Sequence, residues 1–263
     1  MTAVELFQDG RLVEAIRLQE HLVAVESADA AARLLLAELH LFQGDLAAVK
    51  AQLDRLPSER PGMAEYLLHY RQLLSAEAKR RRLFIDLRPA LLSELTSSLN
   101  STLTALASIQ RHEDEAARDH LDDAVESAVW MAGHINGREF EGASDMDDLF
   151  SAVIELFLDD EYVWFPLEQV RRLQLHPRTS LRDHFWAPAL LTSRKGDVWS
   201  VHLPVLYPGT DQHSEEEIRV GLSTDFESSE AGMSRGMGLH SLMIGEEELT
   251  LLDIEDWELR PGA

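Results

Sequence analysis

The sequence predicts an α+β fold, with helices over the first half of the chain and a mostly antiparallel or mixed twisted sheet over the second. Apolar residues recur at helical spacing up to about residue 132. After Gly133 the pattern changes to short segments rich in branched and aromatic residues, with turn signals such as Asn136-Gly137 between them. We therefore expect an all-helical domain over residues 1–132 and an α+β sheet domain over residues 133–263.

Helix start and stop signals follow one another through the first 82 residues. Thr2 and Glu5 make a capping box, and Asp29 and Asp45 each stand before an apolar stretch of helical period. Gly44 ends one of these stretches, and the basic run 79–82 suits the C-terminus of another through the helix dipole. Two further helices are predicted by leucine and alanine stripes, and the second of them carries a strongly acidic opposite face over 113–126.

An internal repeat lies within these helices. The segment Gly10–Ala15 aligns with Gly44–Val49, and the 34-residue offset is the tetratricopeptide period. The glycines stand where such repeats turn between their two helices, and Ala15 and Val49 stand where the helices pack closely. Only two copies are legible, so a generic antiparallel helical bundle remains the alternative.

Seven segments of the second half have the composition of strands, and short turns join several of them. They are 153–158, 162–165, 189–192, 198–203, 218–222, 239–244 and 249–254. Pro166 is expected to open a short helical stretch through Leu173. Long crossover helices are missing from this half, which argues against a doubly wound parallel sheet.

The chain is strongly acidic, with 47 acidic and 24 basic residues and a formal net charge of −23. A field of this sign repels phosphate backbones and anionic lipids, so it disfavours nucleic-acid and membrane partners and favours a basic or mixed-charge protein. A role in solubility alone is the alternative. The chain has no cysteine, which excludes disulfides and thiolate chemistry. The start MTAVELFQDG lacks the features of a signal peptide, so we expect a cytoplasmic protein.

Few residues suggest catalysis, and we predict no catalytic residue, metal or cofactor. His112 and His120 lie eight positions apart with no third ligand nearby. The loop Gly232–Gly238 lacks the ending of a phosphate-binding loop, so we expect a turn with glycines at positive φ, with anion binding by Arg235 as the alternative. His184, after Asp183, and His240 are loose candidates for acid–base work, but partly buried structural histidines explain them more simply.

Several motifs of the second half resemble the ImpE family, also called TagJ or SciE-type virulence proteins. In the family's order, they are Tyr162–Glu168, Leu181–Ala189, Leu203–Gly209, Gly221–Phe226 and Arg235–Gly238. The resemblance extends over about residues 137–259, and the family's tetratricopeptide-like start extends it to nearly the whole chain. This chain departs from the pattern at Leu158-Asp159-Asp160, where the family has Val-Asn-Gly, at Leu222 in place of an arginine, and at Phe226 in place of a tryptophan.

The resemblance implies a non-enzymatic accessory protein of a bacterial type VI secretion system. It implies binding to a helical segment of the small contractile-sheath subunit and, indirectly, an effect on the AAA+ ATPase that disassembles the sheath. It implies no catalytic activity and no cofactor. A scaffold in an unrelated pathway, and a hydrolase or transferase with a site near His184, Arg235 and His240, are the alternatives.

The residues themselves favour a protein-binding role. Helical repeats form surfaces that receive a helix or an extended peptide, and aromatic side chains dominate such interfaces. We therefore predict that Phe42, Tyr66 and Tyr70 contact the partner, with ordinary core packing as the alternative for each.

Overall fold

The computed structural model describes residues 1–26, 29–58 and 61–262. The helices of this part of the chain are α1 (Ala3–Gln8), α2 (Leu12–Val25), α3 (Ala30–Gln43), α4 (Leu46–Leu53), α5 (Met63–Arg80), α6 (Ser97–Gln110), α7 (Asp114–Ser127) and α8 (Glu216–Arg219). The strands are β1 (Ala90–Leu91), β2 (Met131–Ile135), β3 (Arg138–Glu141), β4 (Ala143–Asp145), β5 (Val153–Leu158), β6 (Glu161–Pro166), β7 (Val170–Leu175), β8 (Trp186–Ser193), β9 (Val198–Pro204), β10 (Thr224–Ser228), β11 (Ser234–Gly238), β12 (Ser241–Ile244), β13 (Glu247–Thr250) and β14 (Asp256–Pro261).

The predicted helix caps are confirmed. The hydroxyl of Thr2 accepts a hydrogen bond from the backbone of Glu5, whose carboxylate accepts one from the Thr2 backbone. The Asp29 carboxylate accepts from two backbone N–H groups of the first turn of α3, and Asp45 does the same once for α4. These side chains satisfy N–H groups that the first turn of a helix leaves without a partner.

The predicted repeat is also confirmed. Gly10 and Gly44 both adopt the left-handed conformation, with φ of 75° and 81°, in the turns that connect α1 to α2 and α3 to α4. A residue with a side chain is strained in this region, which explains glycine at both turns. Ala15 and Val49, the matching positions of the second helices, are completely buried.

A nine-stranded sheet forms the centre of the second half. Its order is β1-β6-β5-β9-β8-β7-β14-β2-β3, and every pairing is antiparallel except that of β1 with β6. A three-stranded sheet, β13-β12-β4, and the hairpin β10–β11 complete the strands of the described residues. Helices therefore precede a mixed sheet, and the predicted α+β class is confirmed.

Five of the seven predicted strands correspond to β5, β6, β8, β9 and β12, with ends shifted by up to three residues. The segment 249–254 is a strand only through Thr250, because a 3-10 turn capped by the Asp253 carboxylate follows. Two predictions are wrong. Residues 218–222 belong to α8 and the turn after it, where Gly221 takes a positive φ. The helix expected from Pro166 to Leu173 is a single 3-10 turn followed by β7.

The central sheet buries both of its faces, as β6 illustrates. Tyr162 and Trp164 belong to the apolar cluster formed with the helices, whereas Val163 and Phe165 belong to a second cluster on the opposite face. This follows from the two-residue period of a strand. The first cluster is continuous from α1 to β8, and β1 comes from the segment between α5 and α6. The division at residues 132 and 133 stays a prediction, and it falls within β2.

Candidate partner-binding site

Of the three residues predicted to bind a partner, Tyr66 and Tyr70 contact each other, whereas Phe42 is linked to Tyr70 through the rings of Phe185 and Trp186. Phe42 is in the last turn of α3, and Tyr66 and Tyr70 are one turn apart on α5, with their ring centroids 5.9 Å apart. Phe42 and Tyr70 are completely buried, whereas Tyr66 is only partly buried. Tyr66 is therefore the member of this set that a partner reaches without any rearrangement. The binding role of all three stays a prediction.

The chain's own residues cover Phe42 and Tyr70. Phe185 packs edge-on against Phe42 at 5.1 Å between ring centroids, and Trp186 packs against Tyr70 at 5.9 Å. Both covering residues follow the 3-10 turn Leu181–His184, which packs on α3. Edge-to-face aromatic pairs are more stable than their buried area alone implies. This face of the helices is thus already occupied by a segment more than a hundred residues away in sequence.

Arg182, in the 3-10 turn before β8, contacts both tyrosines. Its guanidinium carbon lies 5.3 Å from the ring centroid of Tyr66 and 5.4 Å from that of Tyr70, which is the range of cation–π contacts. Its Nη2 donates to Asp183, while Nε and Nη1 are buried without a hydrogen-bond partner among the described residues. Sequence analysis placed Arg182 in a family motif but had no signal for its contacts with α5.

Glu38 of α3 lies close to Arg182. It is buried, and its Oε1 has no hydrogen-bond partner in the described part of the chain. Burial raises the pKa of Glu38 to about 7, and the positive charge of Arg182 opposes this rise only in part. Tyr66, also near Arg182, has its pKa raised to about 12, chiefly by burial. We call Glu38, Tyr66, Tyr70, Arg182 and Asp183 the Arg182 cluster.

A pair of histidines lies nearby and connects α5 to β9. The Nε2 atoms of His69 and His202 are 3.4 Å apart, and the ring centroids are 4.8 Å apart. Burial lowers the pKa of both residues, and that of His202 falls to about 3 with a contribution from His69. Both imidazoles are therefore neutral near pH 7, and one ring donates to the other.

A second polar group, deeper in the molecule, connects α5 to β5 and β12. Arg80 donates to both carboxylate oxygens of Glu155 and to the carbonyl of Leu206. His240, just before β12, bonds Glu155 at 3.0 Å through Nε2 and Asp145 at 2.7 Å through Nδ1. We call this group, with the hydroxyls of Tyr162 and Tyr207 that donate to Glu155 and Asp145, the buried polar network.

Opposite charges fix the protonation states of the network. Burial alone lowers the pKa of His240, but Asp145 and Glu155 outweigh it and raise the pKa to about 9. Burial raises the pKa of Glu155, but Arg80 and His240 outweigh it and lower the pKa to about 2. His240 is thus an imidazolium between two carboxylates. Buried charges require this kind of pairing. The ion pairs of the network therefore hold α5 against the sheet.

The residues considered for catalysis occupy different environments. Arg235 donates from Nε to Asp147 at 2.9 Å, and its guanidinium lies over the ring of Phe84 at 4.2 Å. His184 is exposed, and burial of part of its ring lowers its pKa. No hydrogen bond or ion pair among the described residues connects His184, Arg235 and His240. In that same part of the chain, no three His, Asp or Glu side chains are arranged to hold a metal ion.

The glycine-rich segment 232–238 forms the turn before β11 and β11 itself. The prediction of a turn is confirmed only for its start, where Gly232 has a φ of 78°; residues 234–238 form a strand instead, although Gly238 at its end has a φ of 107°. Gly236 has a different role, because a Cβ there would lie 2.3 Å from Cε2 of Tyr207. Glycine at this position lets β11 approach the tyrosine that donates to Asp145.

The space between α5 and the segments 206–212 and 235–237 is a cavity of about 490 Å³. Apolar side chains such as Phe84 line it together with Arg81 and Arg235. Arg80 also lines the cavity, and carboxylates engage all three arginines: Glu155 engages Arg80, Glu77 and Asp211 engage Arg81, and Asp147 engages Arg235. The cavity therefore has a mixed lining, and each of its arginines already has a carboxylate partner, which argues against an anion site.

Comparisons with known proteins agree with this architecture. The family model of the ImpE protein matches residues 137–258, and a tetratricopeptide repeat model matches residues 6–73. The chain is 28% identical over 262 residues to the type VI secretion system accessory component TagJ of Pseudomonas aeruginosa, an alignment that covers 99% of this chain and 92% of the relative. A crystal structure of a protein from Vibrio parahaemolyticus superimposes with a TM-score of 0.87 at 20% identity, over 99% of this chain and 98% of the other. No helix in the described residues is both long and apolar enough to cross a membrane.

Proposed function

Because this chain belongs to the ImpE family, we propose that it is a non-enzymatic, cytoplasmic accessory protein of a bacterial type VI secretion system. The observation that carries this proposal is the similarity to such an accessory component over nearly the whole chain, helices and sheet included. A relative that shared only the helical repeats would support no more than a general binding role.

The state of the buried polar network supports a non-enzymatic role. His240 bonds carboxylates through both ring nitrogens and so has no free nitrogen for acid–base chemistry. The cavity beside His240 and Glu155 has a volume of about 30 Å³, which is the space of a water molecule. These shifted pKa values have a structural explanation, since the charged groups stabilise one another.

We propose further that the protein is an adaptor for a helical segment of the small contractile-sheath subunit. Through that contact it would influence how the AAA+ ATPase handles the sheath. The tetratricopeptide-like helices support this proposal, because helical repeats present extended surfaces to peptides and helices. Tyr66 would contact the partner directly, and the buried Phe42 and Tyr70 would hold that surface in place.

Calorimetric titration with the N-terminal segment of the small sheath subunit of the same genome tests the proposal. The full chain should be used, because removal of the helices would leave the buried Glu155 without Arg80. Saturable binding is expected, and Tyr66→Ala should weaken it about tenfold or more if the ring is an anchor. Tyr66→Phe is the matched control, since it keeps the ring and its stacking on Arg182.

The wild-type protein and the two variants together distinguish a wrong partner from a wrong binding site. Absence of binding by the wild-type protein would overturn the choice of the sheath subunit as partner. Binding that Tyr66→Ala leaves unchanged would overturn the proposed site but keep the partner. A thermal melt of each variant verifies that the fold is intact before the affinities are compared.

A further inference from the structure

Trp130, between α7 and β2, is the most exposed tryptophan of the chain. Its side chain is 63% exposed, whereas Trp164, Trp186 and Trp257 are buried and Trp199 is partly buried. An exposed tryptophan loses the stability that burial of its large apolar surface would give, and tryptophan is enriched at the centres of protein interfaces.

The backbone holds the Trp130 ring in place. A Cβ at Gly142 would lie 2.9 Å from Cη2 of the ring, and a Cβ at Gly262 would lie 2.4 Å from Cδ1. The N–H of Gly262 also donates to the Trp130 carbonyl at 2.7 Å. Two glycines therefore allow two segments to pack against the ring while much of it stays exposed. A side chain fixed before binding loses little conformational entropy when a partner covers it.

Trp130 is part of an apolar cleft. Val125, which is 59% exposed, and Val129, which is 44% exposed, lie beside it, and Leu167 contributes to the lining. The cleft has a volume of about 330 Å³. Exposed apolar side chains grouped around a depression are typical of docking sites for a partner's side chains. We call this surface the Trp130 cleft.

The charges around the Trp130 cleft are negative. No lysine, arginine or histidine is among its lining residues in the described chain, whereas Asp148, Glu168 and the buried Asp145, which pairs with His240, are. Arg118 neutralises Asp122 and Asp148 in part. Glu126, next to Val125, and Glu141, next to Gly142, are exposed, and no ion pair of the described residues engages them.

Charge selects the occupant of this cleft. A second copy of a chain with a net charge of −23 would bring its own acidic α7 against this rim, and nucleic acid or anionic lipid would be repelled in the same way. A lysine or arginine of a partner would form ion pairs with the carboxylates and a cation–π contact with the indole ring. We propose that the Trp130 cleft docks an amphipathic helix of a protein partner, whose apolar face is bordered by lysine or arginine. This surface is separate from the Arg182 cluster and does not depend on the sheath subunit as partner.

Designed peptides test this proposal with the full chain. The probe is an amphipathic leucine–lysine peptide of about 18 residues, which makes about five helical turns. Its controls are a leucine–glutamate peptide of the same pattern and a serine–lysine peptide without an apolar face. Only the leucine–lysine peptide should bind saturably by calorimetry and shift tryptophan emission to shorter wavelength, because only it covers the indole and meets the rim charges.

Two variants and one control locate the binding. Trp130→Ala should abolish the emission shift, and it and Val125→Lys should each weaken affinity roughly tenfold or more. Val125→Lys changes a side chain that is 59% exposed, so it keeps the test valid if Trp130→Ala impairs folding. Val198→Ala, at an equally exposed apolar residue of β9, should bind like the wild type.

Equal binding by wild type and both variants would overturn the proposal, as would equal binding of the serine–lysine peptide. Sedimentation showing a wild-type dimer that Trp130→Ala dissociates would overturn it in favour of self-association.

Discussion

Arg80 of α5 and Glu155 of β5 form a two-point ion pair, with Nε and Nη2 of the guanidinium 2.9 and 2.8 Å from the two carboxylate oxygens. Both side chains are almost completely buried. This geometry matches the planar fork of arginine to a carboxylate, and lysine would lose one of the two bonds. The pair connects the longest helix to the central sheet.

Removal of the arginine should destabilise the protein strongly. Arg80→Met leaves the buried Glu155 with only His240 as a charged partner, and breaking a buried pair from one side typically costs about 3–5 kcal/mol. Urea unfolding followed by circular dichroism measures the loss. Arg82→Met, which removes an exposed pair with Asp86, is the control and should leave the midpoint unchanged. If Arg80→Met unfolded at the same urea concentration as the wild type, the Arg80–Glu155 pair would not stabilise the fold as proposed.

Stability should fall as the pH rises through about 9. Because the pKa of His240 is raised from 6.5 to about 9, the folded state binds more protons than the unfolded state between these values. The contribution of His240 to the free energy of unfolding is thus fully present below pH 6.5 and lost above about pH 9. Urea unfolding between pH 7 and 10 should show this decline, and His240→Gln should make it shallower. A slope that His240→Gln does not alter would assign the decline to other groups.

Glu38 should give a pH dependence of the same sign in a lower range. Its folded pKa of about 7 is above its ordinary value, so its contribution is full below pH 4.5 and lost as the pH rises through 7. Glu38→Gln keeps the shape of the side chain and removes the charge. The free energy of unfolding of Glu38→Gln, relative to wild type, should increase from pH 5 to pH 8. Glu65→Gln, at an exposed position of α5, should show no such increase.

Gly44 should resist substitution for two separable reasons. Its φ of 81° strains any residue with a side chain, and a Cβ there would lie 2.1 Å from Oδ2 of Asp211. Gly44→Ala should therefore lose more stability than Gly62→Ala, where φ is 76° and no described atom lies within 4 Å. The latter should cost about 1 kcal/mol from the backbone alone. Gly44→Ala combined with Asp211→Ala should recover part of the difference, and equal losses at the two glycines would contradict the role of Asp211.

Local signals predicted helices α1 to α7 and five of the fourteen strands of the described residues, with a sixth, β13, predicted in part. Thr2, Asp29 and Gly44 act on backbone groups within a few residues of themselves, so their effects can be read from the sequence alone. The repeat and the family resemblance, both confirmed, rest on patterns along the chain. The helix expected after Pro166 failed because proline fixes only its own φ and leaves the following residues free to pair in β7.

Contacts between distant segments were beyond such reasoning. Phe42 and Tyr70 have helical spacing and aromatic character, which suit an interface and a core equally well. What covers them, Phe185 and Trp186, belongs to a segment whose position the tertiary fold determines. Trp130 gave no periodic signal either, because its exposure depends on the backbone at Gly142 and Gly262. Burial and exposure of single aromatic residues are decided at the level of tertiary packing.

The position of β14 has a consequence for biosynthesis. Among the described residues, the hairpin β2–β3 is connected to the rest of the large sheet only through β14, which pairs with β2 on one side and β7 on the other. A ribosome delivers residues 131–141 long before residues 256–261. The hairpin must therefore wait, with an unpaired edge, until the later strand emerges. Chaperones that shield nascent strand edges should engage this protein in the interval between those two segments.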